Sequence, residues 1–175
     1  MPKAPGFIEF EGIGWDELAT KFKNGREYMY GAVITAFRRI GRVLVNTLKS
    51  ETPVGATGHL RNYTVFQLFG KTEDLRMEVR QSAVSDDGFF YGVAVRTGTK
   101  PHFPPYKKLI PWVMRKLGIS NEKEATRVAF LVARKISKVG TKSNPYHERT
   151  LNREQVTISN IMTEEMVNLL TRLSN

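Results

Sequence analysis

The sequence predicts an α+β fold: a small antiparallel sheet of three to four strands, packed by a long N-terminal helix and by C-terminal helices. Three observations carry this. Apolar residues recur at three- and four-residue spacing from Trp15 to Leu48. A stretch around residue 77 alternates apolar and charged residues with period two. From Pro101 to the end the helical period returns. Helices and strands that segregate along a chain build layers of the α+β kind.

The first fourteen residues hold three glycines and two prolines and show no period, so they read as a flexible arm ahead of a single domain spanning 15–175. The helical stripe then runs through Trp15, Leu18, Phe22, Met29, Val33, Phe37, Ile40, Leu44 and Leu48, with Asn24-Gly25 as a kink or break. It must stop before Pro53, because the residue ahead of a proline disfavours the α region. Three strands are expected next. Asn62 to Phe69 is aromatic and β-branched; Leu75, Met77 and Val79 alternate with Arg76, Glu78 and Arg80; Phe89, Tyr91, Val93 and Val95 form a third alternating set. Gly70 to Glu73 suits a hairpin connection, and Asp86-Asp87-Gly88 a turn.

A short helix is expected over Leu109, Trp112, Val113 and Leu117, with Pro111 near its first turn and Gly118 at its end. Asn121 and Glu124 are spaced as an N-cap and its box partner. The helix behind them presents Ala125, Val128, Leu131/Val132 and Ile136, and closes at Gly140. Trp112 and Phe130 fall on or beside these apolar faces and are expected in the core. The last helix runs from about Thr150 to Leu173.

Composition narrows function. Cysteine is absent, which removes disulfides, thiolate metal sites and cysteine nucleophiles. No apolar run approaches the roughly 18 residues of a membrane span, so no membrane is expected as a partner. The net charge of +10 is concentrated: between Arg96 and Lys142 stand twelve Lys/Arg against two Asp/Glu, and elsewhere fifteen of each cancel. A basic segment of this kind points to a polyanion or an acidic protein surface. Its candidate contact residues are Lys100, Lys107, Lys108, Arg127, Arg134, Lys135, Lys138 and Lys142.

The chemistry-bearing patterns are thin. "TPVGATGHLR" (52–61) has glycines but no G-K-[ST], and it follows a helix and precedes a strand, the reverse of a P-loop. It reads as a tight corner. His59, His102 and His147 show no i,i+4 pairing or nearby carboxylate at metal spacing, so neither a metal site nor a cofactor is expected. A hydrolase using His59 or His102 is the weakest reading. No G-x-S-x-G occurs.

The order of the remaining motifs resembles the tail-completion (minor tail or neck) proteins of long-tailed bacteriophages. That family carries P-V-x-T-G-x-L-R after a first helix, an aromatic-Gly/Ala step followed by E-x-G-T, and a P-aromatic-x-x-P-A/T-L pattern near the last helix, which is matched here only loosely. Pro53, Val54, Thr57, Gly58, Leu60 and Arg61 match the first; Tyr91, Gly92, Gly98 and Thr99 the second; Pro145, Tyr146 and Leu151 the third. Two departures stand out: an extra residue in Val54-Gly55-Ala56-Thr57, and Arg96 where the family often has Glu.

The resemblance implies a non-enzymatic ring subunit at the head–tail junction, of six-fold symmetry. Its neighbours would be further copies of itself, a tail-tube or terminator protein and head-completion or adaptor proteins. Nonspecific contact with genomic DNA in the lumen, and a virion location after synthesis in the host cytoplasm, follow from the same resemblance. It makes the first motif scaffold: Pro53 stops the helix, Gly58 permits the corner and Arg61 is there to bond backbone carbonyls or a neighbouring carboxylate. Gly98-Thr99 would let the chain leave the sheet edge, and residues 1–14 with the loop 100–108 would reach adjacent subunits. Tail terminator or stopper ring protein, and basic nonspecific nucleic-acid-binding protein, are the alternatives.

Overall fold

A computed structural model describes residues 7–11, 26–55, 57–71, 74–85 and 88–174. Trp15, Leu18, Phe22, the break at Asn24-Gly25, Ala56, Thr72-Glu73 and Asp86-Asp87 lie outside the described residues. The elements in order are β1 (Phe7–Glu11), α1 (Arg26–Glu51), α2 (His59–Asn62), β2 (Thr64–Phe69), β3 (Arg76–Gln81), α3 (Tyr91–Thr97), α4 (Tyr106–Leu117), α5 (Glu122–Val139) and α6 (Tyr146–Ser174). The chain divides into two compact units. One comprises residues 1–6, 52–63 and 81–146, the other 7–51, 64–80 and 147–175.

The second unit holds the sheet, in the order β1-β3-β2. Met77 and Val79 of β3 are fully buried and alternate with half-buried Arg76, Glu78 and Arg80, as the period-two pattern requires. β1 pairs antiparallel with β3, Ile8 opposite Val79 and Phe10 opposite Met77. The helix α1 runs along β2. It buries Met29, Ala36, Phe37, Ile40, Leu44 and Leu48, all at helical spacing. It ends at Glu51, two residues short of Pro53. Arg39 forks to Glu164 and Glu165 of α6, each at 2.7 Å. On α6 the buried positions among the described residues are Tyr146, His147, Thr150, Ile161 and Leu169.

Three expectations are corrected here. The third strand is not at Phe89–Val95: residues 91–97 are helix. Alternation across so short a run of small residues fits either period, and none of the seven is fully buried as a central strand would be. The sheet takes its third strand from the expected arm instead. Phe-Ile-Glu-Phe-Glu over 7–11 has its own period-two pattern, and β3 offers it a free edge. Gly98-Thr99 therefore leaves a helix end, not a sheet edge.

In the first unit α4 packs on α5. Val113, Ala125 and Ala129 are fully buried, with Leu109, Ile110, Trp112, Met114, Ile119 and Val128 around them. Alanines at 125, 129 and 133 are all without exposed surface, and such small side chains let the two helices approach closely. Leu131, expected on the inner face, is 59% exposed, and Phe130, expected in the core, is 46% exposed. α4 begins earlier than expected, at Tyr106 behind Pro105, so Pro111 sits inside it and not in its first turn. Asn121 caps α5, its side chain accepting from the Glu124 N–H at 3.2 Å. Gly140 ends α5, its N–H bonded to the Ile136 carbonyl at 2.8 Å. Among the described residues no helix is long and apolar enough to cross a membrane.

Candidate functional site

The three sequence motifs meet in the first unit at one buried polar node. Its centre is Gln81, the last residue of β3, whose side chain is nearly fully buried. Gln81 Nε2 donates to Thr52 Oγ1 at 2.9 Å, just ahead of the first motif, and faces the Leu60 carbonyl within it at 3.4 Å. Tyr146 Oη, from the third motif, donates to Gln81 Oε1 at 2.8 Å and lies 3.2 Å from the Gly92 carbonyl of the second. A buried amide is tolerated only when its donors and acceptors are met, and this arrangement meets both ends. Gly92 is where the motifs come closest. A methyl group there would stand 3.0 Å from Leu60 Cδ1 and 3.7 Å from Tyr146 Oη.

Around the node the first motif makes a corner. Gly58 adopts the left-handed conformation, φ 66°, and its carbonyl accepts from Asn62 N at 2.9 Å. Thr57 Oγ1 accepts from the His59 N–H at 3.3 Å. The short helix α2 then buries Leu60. His59 Nδ1 stands 3.1 Å from the Tyr91 hydroxyl, and its ring meets Tyr63 edge-on at 4.2 Å. Burial pushes the Tyr91 phenol above its ordinary value. Pro53 is half-buried, whereas Val54, Arg61 and Pro145 are exposed. Arg61 is thus a surface cation of the corner.

The second motif closes through a pair of Gly-Thr steps. Thr99 and Thr141 form an antiparallel bridge in which each N–H donates to the other's carbonyl at 3.2 Å, with their hydroxyls 3.0 Å apart. Gly98 (φ 75°) and Gly140 (φ 70°) precede them, in a region closed to side chains. A Cβ on Gly98 would collide with the Thr141 carbonyl, and one on Gly140 with the Thr99 carbonyl. Beyond the bridge, Asn144 N donates to the Val95 and Arg96 carbonyls at 3.2 and 3.0 Å, which ties off the end of α3. Departure from the family's Glu at Arg96 leaves this backbone tie in place.

Gln81, Thr52, Thr141 and Asn144 were not singled out in the sequence, and Tyr146 only as a loose match. Gly98-Thr99-Lys100 recurring as Gly140-Thr141-Lys142 was the available signal for the bridge. No such signal marks Gln81. The eight candidate basic residues are all exposed. Lys100 and Lys142 flank the Thr99–Thr141 bridge in sequence, Lys107 and Lys108 begin α4, and the other four lie along α5. His147 is buried, whereas His102 is exposed with its Nδ1 2.9 Å from the Lys100 carbonyl. Among the described residues no three of His, Asp and Glu gather at metal-binding distance.

No protein-family model, no curated protein and no solved structure matches the chain.

Proposed function

We propose that this chain is a structural virion protein of a long-tailed bacteriophage, a ring subunit that completes the tail at the head–tail junction. One observation carries the reading. The motifs that resemble the tail-completion family are far apart in sequence, yet Leu60, Gly92 and Tyr146, one from each, meet with Thr52 at one buried hydrogen-bonded node around Gln81. Residues that serve only local turns have no need to converge. The node fixes where the 53–58 corner, the Thr99–Thr141 bridge and the Pro145 turn present their exposed residues. The function is contact, with copies closing heterologously around an axis.

Native mass measurement tests it, on the purified chain alone and co-expressed with the products of its neighbouring genes. A closed ring, six-fold by the family resemblance, is expected in at least one of the two. A monomer in both, at all concentrations, overturns the proposal. The exposed cations favour a second reading, nonspecific nucleic-acid binding. A steep fall in affinity for duplex DNA with rising salt, from submicromolar binding at physiological salt, would replace the first reading by the second.

A further inference from the structure

The outward face of α5 is not a plain charged face. Arg127, Leu131, Arg134 and Lys138 follow one another at three- and four-residue spacing with Phe130 beside them, and all are exposed. The opposite face, Ala125, Ala129 and Ala133, is fully buried. Two large apolar side chains therefore stand on the side that core packing does not use. Phe130 and Leu131 line an open groove of about 390 Å³ together with Tyr106, Thr126 and Arg127. Phe103, itself 52% exposed, and Tyr106 both meet the Phe130 ring steeply, at centroid distances of 5.9 and 5.8 Å and angles of 62° and 83°.

Ring geometry and charge together choose the occupant. A base-stacking surface needs ring faces lying open and flat. Here the Phe103 and Tyr106 rings are each set edge-to-face with Phe130, and Leu131 adds an aliphatic wall with no π face. The result is an apolar corner shaped for a branched or aromatic side chain. Its surroundings are cationic. Among the described residues Arg127, Arg134, Lys135 and Lys138 form no ion pair within the chain, and the only acids between 96 and 142 are Glu122 and Glu124 in the first turn of α5.

We infer that this groove docks an acidic protein segment, which seats one aromatic or branched aliphatic side chain against Phe130 and Leu131 while its carboxylates face the arginines and lysines of α5. This deepens the reading of the chain as an assembly subunit, since it names the chemistry of one neighbour. Burial of the anchor supplies affinity, and the charges supply orientation and rate.

The test is selection of yeast-displayed random short peptides on the full-length protein at physiological salt. Enriched peptides should be net acidic with at least one aromatic or branched aliphatic residue. They should bind about tenfold or more weakly to Phe130→Ser/Leu131→Ser and to Arg127→Glu/Arg134→Glu, a tenfold step being about 1.4 kcal/mol. All four side chains are exposed, so both variants should melt close to the parent, and the charge variant keeps the groove apolar if the other misfolds. Absence of enrichment, neutral or basic consensus sequences, or equal binding to both variants would overturn the inference. So would an oligothymidine that outcompetes the best peptide, which would hand the groove to single-stranded nucleic acid. A monomer in the mass measurement leaves the peptide result intact, and a failed selection leaves ring closure intact.

Discussion

Tyr146 Oη lies 2.8 Å from Gln81 Oε1, and both side chains are buried. The direction of this bond is set by the other end of the amide. Gln81 Nε2 is engaged by Thr52 Oγ1, so Oε1 must accept, and the phenol must donate.

Tyr146→Phe removes that donor and no carbon. The expected cost is about 1–3 kcal/mol, the range for leaving a buried polar group short of a partner. A thermal melt should fall by about 2–4 °C per kcal/mol for a chain of this size. In a double-mutant cycle, Tyr146→Phe with Gln81→Leu should cost less than the two singles added, because the second change removes the stranded acceptor. Strict additivity would mean that the node is not a cooperative unit.

Gly98→Ala and Gly140→Ala should each be severe, and Gly118→Ala mild. All three glycines have φ near +70°, but Gly118 (ψ 24°) lies in the left-handed helical region, which a side chain enters at modest cost, whereas Gly98 (ψ 179°) and Gly140 (ψ −160°) lie in a region essentially confined to glycine. Only at 98 and 140 does the added Cβ also meet the facing threonine carbonyl; at 118 it meets nothing within 4 Å. Denaturant midpoints of the three variants, compared at constant slope, should fall furthest at 98 and 140, where close approach and conformation act together. Equal losses at all three sites would show that neither the facing carbonyl nor the glycine-only backbone of the Gly-Thr bridge resists a side chain.

How much of this was legible in the sequence depends on the range of the interaction. The stripe Met29–Leu48, the alternation 75–80, the Asn121 cap and the ends at Gly118 and Gly140 are local periodicities or local backbone chemistry, and they stood in the sequence as the structure has them. Residues 7–11 and 91–97 exchanged roles because each run is short and neither carries its partner in its own sequence. β1 is a strand only because β3 presents an edge to it. The motif residues were found, but not the residue that joins them. Gln81 looks like the polar end of an ordinary strand, and nothing in its neighbours signals that Thr52, Leu60 and Tyr146 will close on it.

Gly41 and Gly31 both lie in α1, and the same substitution should have opposite signs at the two. In an open helical position Gly→Ala gains about 0.8–1 kcal/mol from propensity, and Gly31 has nothing within 4 Å of a built Cβ. At Gly41 that atom would stand 2.5 Å from Phe66 Cδ2 and 2.6 Å from Cγ, where β2 packs on the helix. Overpacking of this kind costs about 1–3 kcal/mol and outweighs the propensity gain. Gly31→Ala should raise the melting temperature and Gly41→Ala lower it, with Phe66→Leu recovering part of the loss in the Gly41→Ala background. A rise at both positions would show that the Phe66 ring moves aside freely.

Acid should weaken the chain in part through Glu51. Its Oε2 accepts from Arg149 Nε at 2.9 Å and its Oε1 from Arg153 Nη1 at 3.3 Å. The Arg149 hydrogen bond holds the Glu51 carboxyl below its ordinary value of 4.5, against an opposing push from desolvation. The unfolded chain therefore takes up this proton first as pH falls. The contribution of Glu51 is complete above its unfolded pKa and is lost as pH drops through the lower, folded one. Glu51→Gln keeps the shape of the side chain and deletes the titration. Plotted against pH, the difference in urea midpoint between parent and variant should be largest at neutral pH and shrink on the acid side of 4.5. Added salt should shrink it at every pH, because the pair is exposed to solvent. A difference that stays constant with pH would mean that the carboxylate's charge is not what Arg149 and Arg153 respond to.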